Sequence, residues 1–365
     1  MQTLEEILRR AAEAGASDIH LKAGGPVMIR IQRELQPMGT FAPDETWLRG
    51  GLEQILPEHL RERLQVDHEA DFAISLLGAG RFRVNVYQQR GGLVIALRLV
   101  RTVIRNFDEL RLPEVVRKVA EARQGIVLIT GAPGAGKSTT LAAVIDHLNR
   151  TARRHIITLE DPIEYYFEDK LSVIDQREVG LDTATFASGL RNVLRQDPDV
   201  LVIGEMRDIE SVQAAVSAAN VGALAIATLH THDAARSIRR ILEFFPGPER
   251  EQARRQLAMT LRAVLCQKLV RPRNGAVVPA VEVMLNNASV AKLIETDRLE
   301  KLPAAIELGS GEGMQTFDQA LEKLVASGVI TAAEALSHAP SPESFRMKLQ
   351  GVTIDESRRI LKARE

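Results

Sequence analysis

Residues 126–139 read IVLITGAPGAGKST, an apolar run followed by a glycine-rich loop that ends in Lys137 and Ser138. This is the strand, loop and helix order of a phosphate-binding P-loop. Its glycines allow successive backbone N–H groups to curl around phosphates, Lys137 can reach the β- and γ-phosphates, and Ser138 can ligate Mg²⁺. The following helix, expected from Thr139 to about Asn149, adds its positive N-terminal end. The stretch therefore predicts binding of a nucleoside triphosphate.

The nucleotide contacts are expected along the whole loop. Its residues are Gly131, Ala132, Pro133, Gly134, Ala135, Gly136, Lys137, Ser138 and Thr139.

The composition is that of an ordinary soluble protein, with 365 residues, 45% of them hydrophobic and 26% charged. The formal net charge of −1 gives no overall attraction to nucleic acid or anionic lipid.

A single cysteine, Cys266, excludes an internal disulfide and a multi-cysteine zinc site, and we interpret it as a small residue in helix packing. Neither a membrane-spanning run nor a signal peptide is recognisable, so a cytoplasmic protein is expected.

Two domains of different character are expected. Residues 1–105 alternate short helical and strand-like patterns, which predicts a small α+β domain with a meandering sheet. Residues 106–113 break the pattern and are interpreted as a linker. The expected strands of this first domain cover residues 17–21, 27–31, 69–75, 81–88 and 93–99, and helices are expected at 3–14 and within 44–65.

From residue 114 to residue 365 a second domain is expected. Helices alternate with apolar strands at 126–130, 155–159, 200–203 and 224–228, which predicts an α/β fold with a mostly parallel sheet and right-handed crossovers. The last hundred residues show helical patterns instead and are expected to form a helical end-piece. Those patterns cover residues 250–267, 288–295, 315–326, 331–338 and 343–349.

Acidic residues follow two of the apolar strands. Glu205 ends the strand at 200–203 in the manner of a Walker B element, where its carboxylate would stand beside Ser138 and hold Mg²⁺ directly or through water. A second strand ends in Glu160, Asp161 and Glu164. In open α/β sheets ligands bind at this edge, and one of these carboxylates could orient the attacking water as a general base. A solvated acidic turn is the alternative interpretation.

Histidines and arginines supply further candidates. His230 and His232 follow the strand at 224–228, where a polar side chain could sense the γ-phosphate; a capped strand end or a metal pair are the alternatives. Arg81 and Arg83 lie on an expected strand of the first domain. Arginines of this kind can complete a phosphate site across a subunit boundary, or can simply cover a solvated strand face.

Four segments in a fixed order resemble the Walker A, Asp, Walker B and His boxes of the secretion-type ATPases. They are GAPGAGKST (131–139), ITLEDPIE (157–164), LRQDPDVLVIGEMRD (194–208) and TLHTHDA (228–234). Supporting segments such as SDIHLKAG (17–24) and GMQTFDQALEKLVASG (313–328) extend the similarity over essentially the whole chain. Among these ATPases, the chain resembles the PilT/PilU family of type IV pilus retraction ATPases.

This resemblance implies an N-terminal PAS-like domain, a RecA-like ATPase domain and a homohexameric ring with ATP and Mg²⁺ between subunits. It implies that Glu164 activates water, that Glu205 is the Walker B glutamate, and that His230 is the second histidine of the His box. It also implies that Arg81 and Arg83 approach the nucleotide.

The resemblance further implies a place in the cell. The ring would sit peripherally at the cytoplasmic face of the inner membrane and act on a pilus platform protein, beside a possible second retraction ATPase. Pilus retraction and twitching motility would be its function.

Two departures keep other functions open. The first histidine of the His box is replaced by Ala223, and the arginine of the family's AIRNLI motif by Ala291. An accessory subunit of the PilU kind, acting on a partner ATPase, is therefore an alternative. Pilus-assembly and type II secretion ATPases usually carry four cysteines that bind zinc, which the single cysteine does not support. A nucleic-acid translocase finds no support in the overall charge, and no nucleic-acid partner is expected.

Overall fold

The computed structural model describes residues 2–31, 34–100, 103–350, 352–355 and 360–363. Contacts within the chain group it into two compact units, residues 1–103 with 163–167, and residues 104–162 with 168–365. By this grouping the expected linker at 106–113 is part of the second unit. Among the described residues, every helix is too short or too polar to cross a membrane.

The first unit is an α+β fold built on a six-stranded sheet with the strand order β3-β2-β1-β6-β5-β4. Every neighbouring pair in this sheet is antiparallel. Its elements are α1 (Leu4–Glu13), β1 (Asp18–Lys22), β2 (Met28–Ile31), β3 (Glu34–Pro37), α2 (Glu45–Ile55), α3 (Arg61–Asp67), β4 (Glu69–Leu76), β5 (Gly80–Gln89) and β6 (Gly92–Val100).

Alternation of apolar and polar residues determines this sheet, as β5 illustrates. Phe82, Val84 and Val86 are fully buried on one face of the strand, so Arg81 and Arg83 lie together on the other face. The five strands expected from sequence are confirmed. The short β3 was not predicted, because its four residues are all exposed and show no alternation.

The second unit is built on a seven-stranded sheet with the strand order β13-β12-β7-β11-β10-β8-β9. Its neighbouring strands are parallel except for the antiparallel pair β12 and β13. The expected α/β class and parallel strands are confirmed. The elements up to β11 are α4 (Val115–Ala120), β7 (Gly125–Thr130), α5 (Lys137–Thr151), β8 (His155–Glu160), β9 (Val173–Glu178), α6 (Phe186–Val193), β10 (Val200–Ile203), α7 (Ile209–Asn220) and β11 (Leu224–Leu229).

Two strands and a series of helices complete the second unit. They are α8 (Ala234–Glu243), α9 (Gly247–Thr260), β12 (Leu261–Val270), β13 (Val278–Leu285), α10 (Ala288–Glu295), α11 (Leu302–Leu308), α12 (Phe317–Ala326), α13 (Ala332–His338) and α14 (Pro342–Leu349). Two short strands follow, β14 (Val352–Asp355) and β15 (Ile360–Ala363), which pair antiparallel.

The prediction of a helix through residue 267 is wrong, because the helix ends at Thr260 and β12 begins at Leu261. The spacing of Leu257, Leu261, Val264 and Leu265 fits a helix, and a short apolar run does not distinguish the two structures. Strand pairing makes this segment a strand rather than a helix, since β12 hydrogen-bonds to β7 on one side and to β13 on the other. Cys266 is therefore buried in a strand rather than in helix packing.

Glu282 is an acidic side chain inside the second unit, where it lies on β13 and is only 7% exposed. Its Oε1 accepts a hydrogen bond of 2.9 Å from the backbone N–H of Ala234, the first residue of α8. The carboxylate also accepts from the backbone N–H of Phe317, the first residue of α12. Burial raises the pKa of Glu282 to about 7, and Asp233 adds to the effect, while these hydrogen bonds and Lys268 oppose it. One carboxyl group thus links two helix N-termini.

We predict that Glu282→Gln flattens the pH dependence of stability. The folded pKa of about 7 lies above the ordinary 4.5, so the folded protein holds this proton more tightly than the unfolded chain. The contribution of this proton to the free energy of unfolding is fully present below about pH 4.5 and is lost as the pH rises through about 7. Thermal unfolding between about pH 5 and pH 8 should show the melting temperature of the wild type falling relative to that of the variant. Parallel curves over that range would contradict the prediction.

Candidate nucleotide site

The P-loop of the second unit joins β7, all of whose residues are buried, to α5, which begins at Lys137. All three of its glycines have positive φ angles that favour glycine, 151° at Gly131, 78° at Gly134 and 85° at Gly136, and Gly136 caps the helix. At Gly131 a Cβ atom would lie 2.5 Å from the backbone oxygen of Gln267 on β12. The two ends of the loop, at Gly131 and Gly136, thus pack against the neighbouring strand β12, a contact that was not predicted from the sequence.

Backbone hydrogen bonds draw the ends of four parallel strands together. The N–H of Gly131 donates to Leu229 O at 3.2 Å, which ties the P-loop to the end of β11. The N–H of Met206 donates to Thr228 O at 3.0 Å, and the N–H of Gly204 to Leu159 O at 2.8 Å. The residues that follow β7, β8, β10 and β11 therefore meet at one edge of the sheet, where ligands bind in open α/β folds.

Lys137, one of the expected phosphate-binding residues, is 8% exposed. Its Nζ donates to Gly131 O at 2.9 Å and to Ala132 O at 3.2 Å, and it lies 3.1 Å from Nδ1 of His230. Because an ammonium group can only donate, Nδ1 accepts in this contact and the imidazole proton is assigned to Nε2. Nε2 lies 3.1 Å from Glu205 Oε1, which can accept that proton's hydrogen bond. A neutral His230 thus connects Lys137 to Glu205.

The second oxygen of Glu205 is held by Arg207. The Nε and Nη2 atoms of Arg207 lie 2.9 and 2.8 Å from Glu205 Oε2, and Nη1 lies 3.6 Å from Asp161 Oδ2. Burial alone would raise the pKa of Glu205, but the hydrogen bonds from Arg207 and His230, together with the positive charge of Arg207, outweigh it and lower the pKa below its ordinary value. Glu205 is therefore a carboxylate at neutral pH, in a continuous network from Lys137 to Asp161.

The three acids at the end of β8 and just after it, Glu160, Asp161 and Glu164, do not form one cluster. Glu160 Oε1 accepts from Thr158 Oγ1 at 2.7 Å and from Gln176 Nε2 at 3.3 Å, so it is bound to β8 and β9. Asp161 contacts Arg207 instead. Glu164 is exposed and belongs to the segment 163–167 that groups with the first unit. Its expected action on water stays a prediction.

The two histidines after β11 differ in their surroundings. The strand ends at Leu229, so both follow it rather than lie on it. His230 joins the network between Lys137 and Glu205. His232 is exposed, and its side chain makes no hydrogen bond or ion pair within the described part of the chain. A site that uses both imidazoles is therefore not formed here.

The expected nucleotide-binding arginines lie on β5 of the first unit. Arg83 Nη2 is 3.9 Å from Asp71 Oδ1, a weak ion pair on a half-exposed strand face. The guanidinium carbon of Arg81 lies 5.9 Å from the centre of the Tyr166 ring, and Tyr166 groups with the same unit. Their approach to a nucleotide stays a prediction.

Two residues of the site were not predicted from the sequence. Arg207 follows Glu205 by two positions, and a cation so close to a candidate metal ligand was the available signal. Gln267 is a polar residue in the middle of a buried strand, and its Nε2 donates to Ala135 O in the P-loop at 2.7 Å. It also lines a cavity of about 230 Å³ together with Gly136, Thr139 and Thr140.

Comparison with known proteins agrees with this geometry. The sequence profile of the family described as "Type II/IV secretion system protein" matches residues 1–295. The type IV pilus retraction ATPase PilT of Pseudomonas aeruginosa is 38% identical, over 94% of this chain and 99% of the relative. The type IV pilus ATPase PilU of the same organism is 40% identical, over 95% of this chain and 91% of the relative.

A crystal structure of the pilus retraction motor PilT with bound ADP superimposes with a TM-score of 0.86 at 39% identity, over 94% of this chain and 98% of that one. The family resemblance predicted from the four boxes is thereby confirmed, and with it nucleotide binding and ATPase activity. This chain belongs to the type II/IV secretion system protein family, as a P-loop ATPase of the kind that includes PilT and PilU.

Proposed function

We propose that this chain is an ATP-hydrolysing motor of type IV pilus retraction. It assembles into a homohexameric ring at the cytoplasmic face of the inner membrane. There it acts on a pilus platform protein, drives pilus disassembly and so powers twitching motility. The observation that carries this proposal is the intact network of Lys137, His230 and Glu205 at the edge of a PilT-like sheet.

The P-loop is the proposed phosphate site. Lys137 already lies inside the loop, bonded to two of its carbonyl groups, and a β- or γ-phosphate would exchange these contacts for a stronger charged one. The hydroxyl of Ser138, in the first turn of α5, and the carboxylate of Glu205 are oxygen ligands of the type that Mg²⁺ prefers. These two residues would hold the ion, which would supply charge neutralisation during phosphoryl transfer.

His230 is proposed to couple phosphate binding at Lys137 to the orientation of Glu205. Its two nitrogens contact Lys137 and Glu205, so any movement of the ammonium toward phosphate breaks or changes a contact that also orients the Walker B carboxylate.

Glu164 is the proposed general base. Arg81 and Arg83 are proposed to approach the nucleotide from the N-terminal unit.

A PilU-like accessory role is the second candidate. Ala223 and Ala291 replace an expected histidine and an expected arginine, and identity to PilU equals or exceeds that to PilT. In that role the chain would still bind ATP but would act on a partner retraction ATPase.

We predict that Lys137→Ala abolishes ATP turnover by removing the phosphate contact. Glu164→Gln should preserve nucleotide binding and lower the hydrolysis rate by roughly 10²–10⁴-fold, the usual contribution of a general base. Lys118→Ala, at an exposed position on α4, is the control and should leave both unchanged. Steady-state phosphate release and binding of fluorescent ADP measure the two effects. Normal turnover in Lys137→Ala would refute the P-loop assignment, and normal turnover in Glu164→Gln would place the base elsewhere.

We predict that the two histidines differ in function. His230→Ala removes the connection between Lys137 and Glu205, so hydrolysis should fall by at least about tenfold, while Lys137 keeps its carbonyl contacts and ADP affinity changes little. His232→Ala is a matched control with the same loss of an imidazole, and its turnover should stay near the wild-type value. Equal losses in the two variants would refute the proposed role of His230.

We predict that the chain restores pilus retraction in a type IV piliated bacterium that lacks its own retraction ATPases. The measurement is the retraction of individual labelled pili, with Lys137→Ala as the inactive control. Retraction that occurs only when a partner ATPase is also supplied would favour the accessory role. No effect under either condition would refute both candidate functions.

A further inference from the structure

Gln267 is a buried polar side chain on β12, and it is 2% exposed. Its Nε2 donates a hydrogen bond of 2.7 Å to the backbone oxygen of Ala135, inside the P-loop. A carbonyl oxygen needs a donor, so this contact fixes which end of the amide is nitrogen. Among the residues that the structure describes, Oε1 of Gln267 has no hydrogen-bond partner.

The P-loop packs against this one residue at three points. The backbone oxygen of Gln267 occupies the space of a Cβ atom at Gly131, at 2.5 Å. Its Nε2 would lie 3.2 Å from a Cβ atom at Gly136. The hydrogen bond to Ala135 lies between these two contacts. Gln267 thus supports the loop from its first glycine to its last.

The hydrogen bond determines where the next N–H group points. The C=O of Ala135 and the N–H of Gly136 belong to the same peptide unit, and in a planar trans peptide these two groups point in opposite directions. Because the carbonyl points toward Gln267, the N–H of Gly136 points away from β12. This is the side on which a P-loop presents its N–H groups to phosphates.

We propose that Gln267 is a positioning residue for the nucleotide phosphates, acting through the Ala135–Gly136 peptide. This inference rests on the proposed phosphate site at the P-loop. Gln267 itself does not touch phosphate; it holds the peptide in the orientation that the ligand needs, so the loop does not have to reorganise on binding.

Packing alone does not account for a glutamine at this position. Burying an amide group costs free energy unless its polar atoms are paired, and here one of the two is unpaired. An apolar side chain of similar size would fill the space without that cost. The contact from Nε2 to the P-loop is the feature that such a side chain would not supply.

The experiment compares Gln267→Met and Gln267→Glu with the wild type in the full-length chain. Both variants keep the length of the side chain, and both lack the amide donor at neutral pH. Val264→Ala is the control, because Val264 is fully buried on the same strand but points to the opposite face. For each protein we would measure the dissociation constant of fluorescent ADP, the KM and kcat for ATP, and the melting temperature.

We expect the ADP dissociation constant and the KM to rise roughly tenfold in both Gln267 variants, with a smaller change in kcat, because phosphate contacts act in the ground state as well. Val264→Ala should lower the melting temperature and leave the affinity unchanged. Wild-type affinity in both Gln267 variants would overturn the inference. An equal loss in Val264→Ala would also overturn it, since destabilisation would then explain the effect. Failure of the wild type to bind ADP would instead refute the proposed phosphate site.

Discussion

The close contact between Gly131 and the backbone of Gln267 is the constraint on which the rest of the second unit depends. With 2.5 Å between the carbonyl oxygen and the position of a Cβ atom, no other residue fits at the start of the loop unless β12 moves. β12 in turn is fixed by hydrogen bonds to β7 and to β13, and β7 is paired with β11 on its other side. The shape of the loop is therefore set by strand order and not by its glycines alone.

The same sheet order explains why the charged groups form one network. β11 lies between β7 and β10, so His230, just after β11, falls between Lys137 and Glu205. Arg207 compensates the charge of Glu205 and keeps it ionised despite burial, and Lys137 stays nearly buried because its ammonium group donates to two backbone carbonyl groups and to His230. At the proposed phosphate site, an incoming phosphate would meet an ammonium group that is already in place, and the contacts that it would displace involve a backbone carbonyl or an imidazole rather than a second charge.

Local sequence signals were sufficient where a local pattern determines the structure. The β7 strand and the P-loop, five of the six strands of the first unit's sheet, and the acid after β10 follow from periodicity and from motif spacing. β12 could not be found in this way, because its apolar spacing also fits a helix and only pairing with β7 and β13 decides between them. Gln267, Glu282 and the contact of Arg207 with Asp161 were missed for a similar reason. Their partners, such as Asp161, Ala135 and the N-termini of α8 and α12, come from other parts of the chain.

The fold also bears on the two departures from the family pattern. Ala223 is buried just before β11, whereas His230 follows the other end of that strand. Six residues of extended chain separate position 223 from Leu229, or about 20 Å at 3.3 Å per residue. Ala291 lies on α10, where its side chain is partly exposed. Neither substitution removes a member of the network from Lys137 to Asp161. If the chain is an accessory subunit, we expect its difference from a self-sufficient motor to lie in coupling or partner contacts rather than in loss of the proposed phosphate site.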